Sequence, residues 1–82
     1  MLEIKTGSIV KSMAGHDSGG YFLVLRREGD YVLLADGKRR KIEKPKRKKQ
    51  KHVRLVEVST IPITDDLTDK KIRTLLGNTQ PR

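Results

Sequence analysis

The stretch YFLVLRREGDYVLLA, residues 21–35, has the most decisive pattern for the fold of this chain. Five apolar or aromatic residues open it, and five more follow a short polar break. Apolar runs of this length, bounded by turn residues, are typical of strands, and an uninterrupted run indicates a strand that is covered on both faces. The stretch therefore predicts a β-hairpin with strands at Tyr21–Arg27 and Tyr31–Ala35, joined by a tight turn at Glu28-Gly29-Asp30.

Two further strands are predicted on either side of the hairpin. GSIVKSM, residues 7–13, has two β-branched residues at its centre and ends on Met13, which is expected to point inward. HVRLVEV, residues 52–58, alternates apolar and polar side chains, with Val58 on the apolar side. The first of these strands is separated from the hairpin by a loop rich in glycine, Ala14–Gly20.

The region after the hairpin is strongly basic. Asp36-Gly37 is a favoured turn pair, so the following residues, Lys38–Glu43, are expected to form a basic strand or rim with Ile42 as its inward anchor. Pro45 lacks the N–H that a strand ladder needs, which favours a loop over a strand for KPKRKKQK, residues 44–51.

The C-terminal part of the chain predicts one short helix, over about residues 65–76. Thr64-Asp65-Asp66 offers side-chain oxygens that can cap a helix and acids for its first turn. We interpret Asp69 in the same way, as a helix-capping charge. Gly77 is a stop signal for the helix. The apolar residues of this segment are Leu67, Ile72, Leu75 and Leu76.

The expected fold class is therefore mainly β. Five short strands joined by glycine-containing turns predict a small β-barrel, because closure protects edges that so short a chain cannot otherwise cover. We expect residues 1–60 to form the barrel domain and residues 61–82 to form a C-terminal extension carrying the short α-helix.

The positive charge of the chain is concentrated in KRRKIEKPKRKKQKHVR, Lys38–Arg54, which we call the basic segment. It holds eleven of the 19 Lys and Arg residues and a single acid, Glu43, in a chain of net charge +9, so the remainder is close to neutral. Such a cluster repels itself, and a polyanion relieves the repulsion while releasing counterions. A solvated charged segment is the plainer interpretation. Because predicted strands hold both ends of the segment, RNA binding is favoured.

Three features supply candidate contacts to RNA. Lysine outnumbers arginine seven to four in the basic segment, which favours phosphate contacts over base reading. The glycine-rich loop brings backbone N–H groups within reach of phosphates. Phe22 is expected in the core. Because neighbouring side chains of a strand point to opposite faces, Tyr21 is expected to face away from the core and is a candidate for stacking on a base. The candidate RNA-binding residues are Lys38, Arg39, Arg40, Lys41, Lys44, Lys46, Arg47, Lys48, Lys49, Lys51, His52, Arg54, Gly15, His16, Gly19 and Tyr21.

Several function classes are not supported by the sequence. There is no cysteine, and the two histidines, His16 and His52, have no further ligands at metal-binding spacing. No nucleophile–base arrangement or acid pair stands out, so we expect no enzymatic activity, no cofactor and no small-molecule substrate. The sequence shows no apolar run long enough for a signal peptide or a membrane span. We expect a cytoplasmic protein that is monomeric when free.

The first half of the chain resembles the KOW motif of ribosomal proteins and transcription elongation factors. That motif is an apolar strand, a Gly-x-Asp-x-Gly loop and a second apolar strand, and here GSIVKSMAGHDSGGYFLV has the loop at Gly15–Gly19. DYVLLADGKRRKIEKPKRKKQKHV is similar to the hairpin and basic segment of KOW-containing large-subunit ribosomal proteins of archaea and eukaryotes, and of their small bacterial relatives. The resemblance covers Gly7–Val58. Phe22 stands where many KOW motifs have a further glycine, which favours the ribosomal subgroup.

The resemblance implies a compact barrel of the Src-homology-three type that binds ribosomal RNA by shape and charge. It further implies a ribonucleoprotein role in translation, with ribosomal RNA and the large ribosomal subunit as partners. Two alternatives stay open: a transcription-elongation accessory that contacts nascent RNA or RNA polymerase, and a protein-interaction domain that docks an acidic partner. The C-terminal helix lies outside the resemblance.

Overall fold

The computed structural model describes residues 4–15, 18–58 and 62–79, and in that part of the chain it contains five strands and one α-helix. All strand pairings are antiparallel and form one sheet in the order β4-β3-β2-β1-β5. A 3₁₀ turn at Gln50–His52 joins the last two strands. The elements are β1 Ser8–Ser12, β2 Tyr21–Glu28, β3 Tyr31–Ala35, β4 Lys46–Lys49, β5 Val53–Val58 and α1 Asp69–Thr79.

The predicted hairpin is confirmed. Strands β2 and β3 pair from Glu28 opposite Tyr31 to Leu23 opposite Ala35, with a register shift between Val24 and Arg26. The expectation that the apolar run at the start of β2 is covered on both faces is also confirmed, because its consecutive residues enter different apolar clusters. The sheet therefore has two covered faces. We call the face that carries Phe22 and Val24 the concave face, and the face that carries Leu23 the convex face.

The concave face carries one cluster and the convex face the other. The concave cluster contains Ile4, Val10, Phe22, Val24, Val32 and Leu34, with Val53 and Leu55 packed against it. The convex cluster contains Ile9, Leu23, Ala35, Ile72 and Leu76. Helix α1 supplies the last two of these, so the C-terminal extension is part of the core of the sheet.

The sheet is strongly curled. Lys48 Nζ in β4 lies 2.8 Å from Ser12 Oγ in β1, although β2 and β3 separate these strands in the sheet order. In a flat sheet three strand spacings would place β1 about 14 Å from β4. Among the described residues, however, β4 and β5 are the two edges and do not pair. The sheet is thus curled and open, where a closed barrel was expected.

The basic strand lies later in the chain than expected. Residues 38–43 form bends and turns, whereas Lys46–Lys49, expected as a loop, are strand β4. Pro45 immediately precedes this strand and leaves its ladder intact. An edge strand needs a hydrogen-bonded neighbour on one side only, and here that neighbour is β3. Lysines on an edge also oppose pairing with the edge of another molecule.

The helix begins later than predicted. It spans Asp69–Thr79 instead of about 65–76. The cap is Thr68, whose Oγ1 accepts a hydrogen bond from Lys71 N at 3.2 Å. Thr64 belongs to a preceding turn, in which its carbonyl accepts from Leu67 N at 3.0 Å.

Two side chains expected to point inward are exposed. Met13 lies just beyond β1 and is 50% exposed, and Val58, at the end of β5, is 68% exposed. None of the helices in the described residues has the length and apolar character that crossing a membrane requires.

Candidate nucleic-acid interface

The fold divides the basic segment into three parts: residues 38–45, which we call the basic loop, then strand β4, and finally the 3₁₀ turn with the start of β5. Most of its cationic side chains are exposed, whereas Arg40, Lys46 and His52 are half-buried and Lys48 is buried. The exposed cations are Lys38, Arg39, Lys41, Lys44, Arg47, Lys49, Lys51 and Arg54.

The basic loop begins with a turn held by one carboxylate. Asp36 Oδ1 accepts hydrogen bonds from Lys38 N at 2.8 Å and from Arg40 N at 2.9 Å. Asp36 N in turn donates to the carbonyl of Arg40 at 2.9 Å. Aspartate side chains often stabilise turns in this way, and the result is a defined backbone from which Lys38 and Arg39 project into solvent.

Helix α1 fixes the rest of the basic loop. Ile42 N donates to Asp69 Oδ1 at 2.9 Å, and Arg73 Nη1 donates to the carbonyl of Gly37 at 2.6 Å. Ile42 is half-buried against the convex cluster, so its predicted role as an inward anchor is confirmed. A Cβ at Gly37 would collide with the carbonyl oxygen of Asp69. The helix therefore sets the shape of the loop that carries the cations.

Strand β4 presents its side chains alternately to the two faces. Arg47 pairs with Leu33 and Lys49 with Tyr31, which places both cations on the convex side. The guanidinium carbon of Arg47 lies 3.9 Å from the centroid of the Tyr31 ring. Arg47 Nε is also 3.8 Å from Glu28 Oε1. A cation over a ring is held by the ring quadrupole, so Arg47 is oriented before any ligand arrives.

Lys48 differs from its neighbours. Its side chain is on the concave face, opposite Val32, and the residue is only 9% exposed. Nζ donates to Ser12 Oγ at 2.8 Å and to the carbonyl of Ala14 at 2.6 Å. Lys48 was predicted as an RNA contact, but two acceptors inside the curl of the sheet hold its ammonium group. Lys48 joins strand β4 to the glycine-rich loop.

The glycine-rich loop turns at two glycines with positive φ. Gly15 has φ of 78° and Gly19 has φ of 87°, a region that other residues rarely adopt. Gly19 N donates to the carbonyl of Ser12 at 2.8 Å, and Ser18 N donates to that of Gly15 at 3.1 Å. These two N–H groups are therefore not free to bind a phosphate. His16, predicted as an RNA contact, lies outside the described residues.

Tyr21 faces away from Phe22, as predicted. It is half-buried against the convex cluster, whereas Phe22 is buried in the concave cluster. Lys11 Nζ lies 5.9 Å from the centroid of the Tyr21 ring. Contact with the cluster leaves only part of this ring for stacking on a base.

A cleft that sequence reasoning did not find opens where β4 gives way to β5. Its volume is about 700 Å³. The lining residues are Ile4, Asp30, Lys49, Gln50, Lys51, Val53, Arg54 and Leu55. They come from the N-terminus, the hairpin turn and residues 49–55, so no local motif in the sequence could have indicated the cleft.

The described residues contain no group of three His, Asp or Glu side chains placed to hold a metal ion. No protein-family model matches the chain, and neither does any curated protein. The resemblance to KOW proteins therefore stays a prediction, and function has to be inferred from the geometry and charge of the chain itself.

Proposed function

We propose that this chain is a non-enzymatic RNA-binding module of the KOW type, associated with the ribosome, whose basic segment binds the phosphates of ribosomal RNA. One observation carries the proposal: eight cations of this segment are exposed. In the described part of the chain no carboxylate lies within ion-pair distance of Lys38, Lys41, Lys44 or Lys51. Cations in this state gain most from a polyanion, because binding also releases its condensed counterions.

The order of the basic loop favours RNA over an acidic protein tail. The carboxylates of Asp36 and Asp69 accept hydrogen bonds from the loop backbone, and Arg73 donates one to it, so the backbone is held in one shape. A fixed array of cations suits a folded RNA, whose phosphates are themselves in fixed positions and which proteins recognise largely by shape. Preorganisation also reduces the entropy lost on binding.

The proposed fold type is the Src-homology-three fold, with its curled sheet left open between β4 and β5. Its support is the antiparallel order β4-β3-β2-β1-β5, the curl that brings Lys48 to Ser12, and the 3₁₀ turn between the two edge strands. The irregularity between Val24 and Arg26 lies within the longest strand, where a sheet that curls over a core must bend.

Binding to a structured RNA is expected to depend steeply on salt. If about six phosphates are neutralised, log K should fall against log salt with a slope of roughly −4 to −6. Fluorescence anisotropy with a labelled ribosomal RNA fragment measures this slope. A flat salt response would contradict phosphate binding.

A pair of double variants locates the interface. Lys41→Gln with Lys44→Gln removes two exposed charges from the basic loop, and Lys5→Gln with Lys70→Gln removes two exposed charges outside the basic segment. We expect the first pair to reduce the magnitude of the salt slope by about 1.5, whereas the second should leave it nearly unchanged. Equal losses in the two variants would show that only net charge matters.

The ribosomal context is tested in cells. We expect the native protein to co-sediment with large ribosomal subunits at physiological salt and to be released by a high-salt wash. Enrichment with RNA polymerase instead would favour the transcription-elongation alternative. Retention on acidic proteins without any affinity for RNA would favour the protein-interaction alternative and overturn the proposal.

The role of helix α1 in shaping the basic loop can be tested with variants in which the change of charge and the change of loop geometry have opposite effects on RNA affinity. Asp69→Ala and Asp65→Ala each remove one acid, and simple electrostatics predicts tighter RNA binding for both. Of these two acids, it is Asp69 that holds the basic loop, by accepting a hydrogen bond from Ile42 N. We expect Asp69→Ala to weaken RNA binding by roughly threefold to tenfold, because the loop loses preorganisation, and Asp65→Ala to strengthen it slightly. Tighter binding by both variants would show that loop geometry is unimportant.

A further inference from the structure

The cleft between the two edge strands combines two kinds of surface. Its floor is apolar and is formed by Ile4 with the half-buried Val53 and Leu55. Its rim is cationic, formed by the exposed side chains of Lys49, Lys51 and Arg54.

The polar groups of the cleft favour a ligand that can form hydrogen bonds. Gln50 lines it, and its Oε1 is shielded from solvent and has no hydrogen-bond partner among the described residues. Buried acceptors normally have a partner, so we expect the Gln50 side chain to turn toward a donor that enters the cleft. Asp30 is the one carboxylate among the lining residues, so the charge of the cleft remains positive.

These features fit the parts of one unpaired nucleotide. A volume of about 700 Å³ lies within the range of small-molecule sites. A base extruded from its stack is commonly held against apolar side chains and bound through its polar edge, and the neighbouring phosphates need cations. A base within a duplex is stacked and paired, so it cannot reach the apolar floor.

We propose that this cleft binds an unpaired RNA nucleotide, with the base against Ile4, Val53 and Leu55 and the adjoining phosphates on Lys49, Lys51 and Arg54. The inference deepens the proposed RNA-binding function and rests on it. The basic loop supplies affinity for RNA in general, and the cleft supplies a preference for single-stranded positions such as bulges and loops.

Nuclear magnetic resonance titrations of the full chain test the proposal, with pentaadenylate and an abasic ribose-phosphate pentamer of equal charge as probes. We expect pentaadenylate to shift the methyl signals of Ile4, Val53 and Leu55 and to bind about fivefold more tightly than the abasic pentamer. The abasic pentamer should shift amides of the basic loop and leave these methyl signals in place.

Two charge variants provide the matched control. Arg54→Gln and Lys41→Gln each remove one exposed positive charge, the first at the cleft and the second in the basic loop. Arg54→Gln should lower the preference for pentaadenylate over the abasic pentamer, whereas Lys41→Gln should leave that preference unchanged. Lys51→Gln serves in place of Arg54→Gln if the latter lowers the melting temperature.

The outcomes separate this inference from the proposed function. Equal binding of the two pentamers, with methyl signals that do not move, would overturn the cleft proposal alone while phosphate binding by the basic loop stands. Failure of every RNA, including a folded ribosomal fragment, to bind would overturn both proposals.

Discussion

Replacing Lys48 with methionine is expected to destabilise the protein by about 2 kcal/mol, because hydrogen bonds from a charged donor are among the stronger ones and removing it leaves the Ala14 carbonyl and Ser12 Oγ without that partner. For a domain of this size, that loss lowers the melting temperature by about 10 °C. Methionine keeps the length and apolar character of the lysine stem. Thermal unfolding followed by circular dichroism measures the effect.

The neighbouring Lys49→Met variant is the control. This variant also removes one positive charge from β4, but Lys49 is exposed. The melting temperature of the Lys49→Met protein should therefore differ little from that of the unmodified protein. In RNA binding the order of the two effects should be reversed. Lys49→Met should reduce the magnitude of the salt slope, whereas Lys48→Met, measured well below its melting temperature, should leave the slope unchanged. Equal melting temperatures would show that the Lys48 ammonium is not held inside the curl.

Replacing Ile72 with alanine is expected to cost about 3 kcal/mol and to lower the melting temperature by about 15 °C. Ile72 has no exposed surface and packs with Ile9, Leu23 and Ala35 on the convex face of the sheet. A helix of eleven residues is marginal by itself in water, so most of its stability comes from this packing.

The control for this prediction is Thr74→Ala, at an exposed position of the same helix. Alanine has the higher helix propensity, so stability should be unchanged or slightly increased. We also expect the Ile42 amide to exchange faster with solvent in Ile72→Ala, since loosening the helix releases Asp69. A normal melting temperature for Ile72→Ala would mean that the helix serves a partner instead of the sheet.

The hairpin could be predicted from sequence because its signals are local. Two apolar runs around a glycine-containing turn determine which residues pair, and β2 and β3 differ from the expected strands by a single residue, Glu28. The glycine backbone at Gly15 and Gly19 was predictable for the same reason, since positive φ at a tight turn is a property of the residue itself.

The basic segment shows where local signals fail. Strand β4 has no apolar alternation, and it is a strand because β3 offers it a free edge. The local pattern favours a helix start at Thr64, whereas the cap in the structure is Thr68, and the helix that follows it packs Ile72 and Leu76 over the sheet. In both places packing against a distant element overrode the local signal.

By itself, the sequence determined that this is a mainly β chain with one helix and one strongly cationic segment, because strand periodicity, turn residues and formal charge are properties of neighbouring residues. Only the tertiary structure decided what each cation does. Curling of the sheet buries Lys48 beside Ser12, and docking of α1 brings Asp69 to Ile42. The cleft likewise exists only once the fold brings Ile4 and Arg54 to the lining of one space. These contacts join residues far apart in the chain, and the free energy that selects them comes from burying two apolar faces at once.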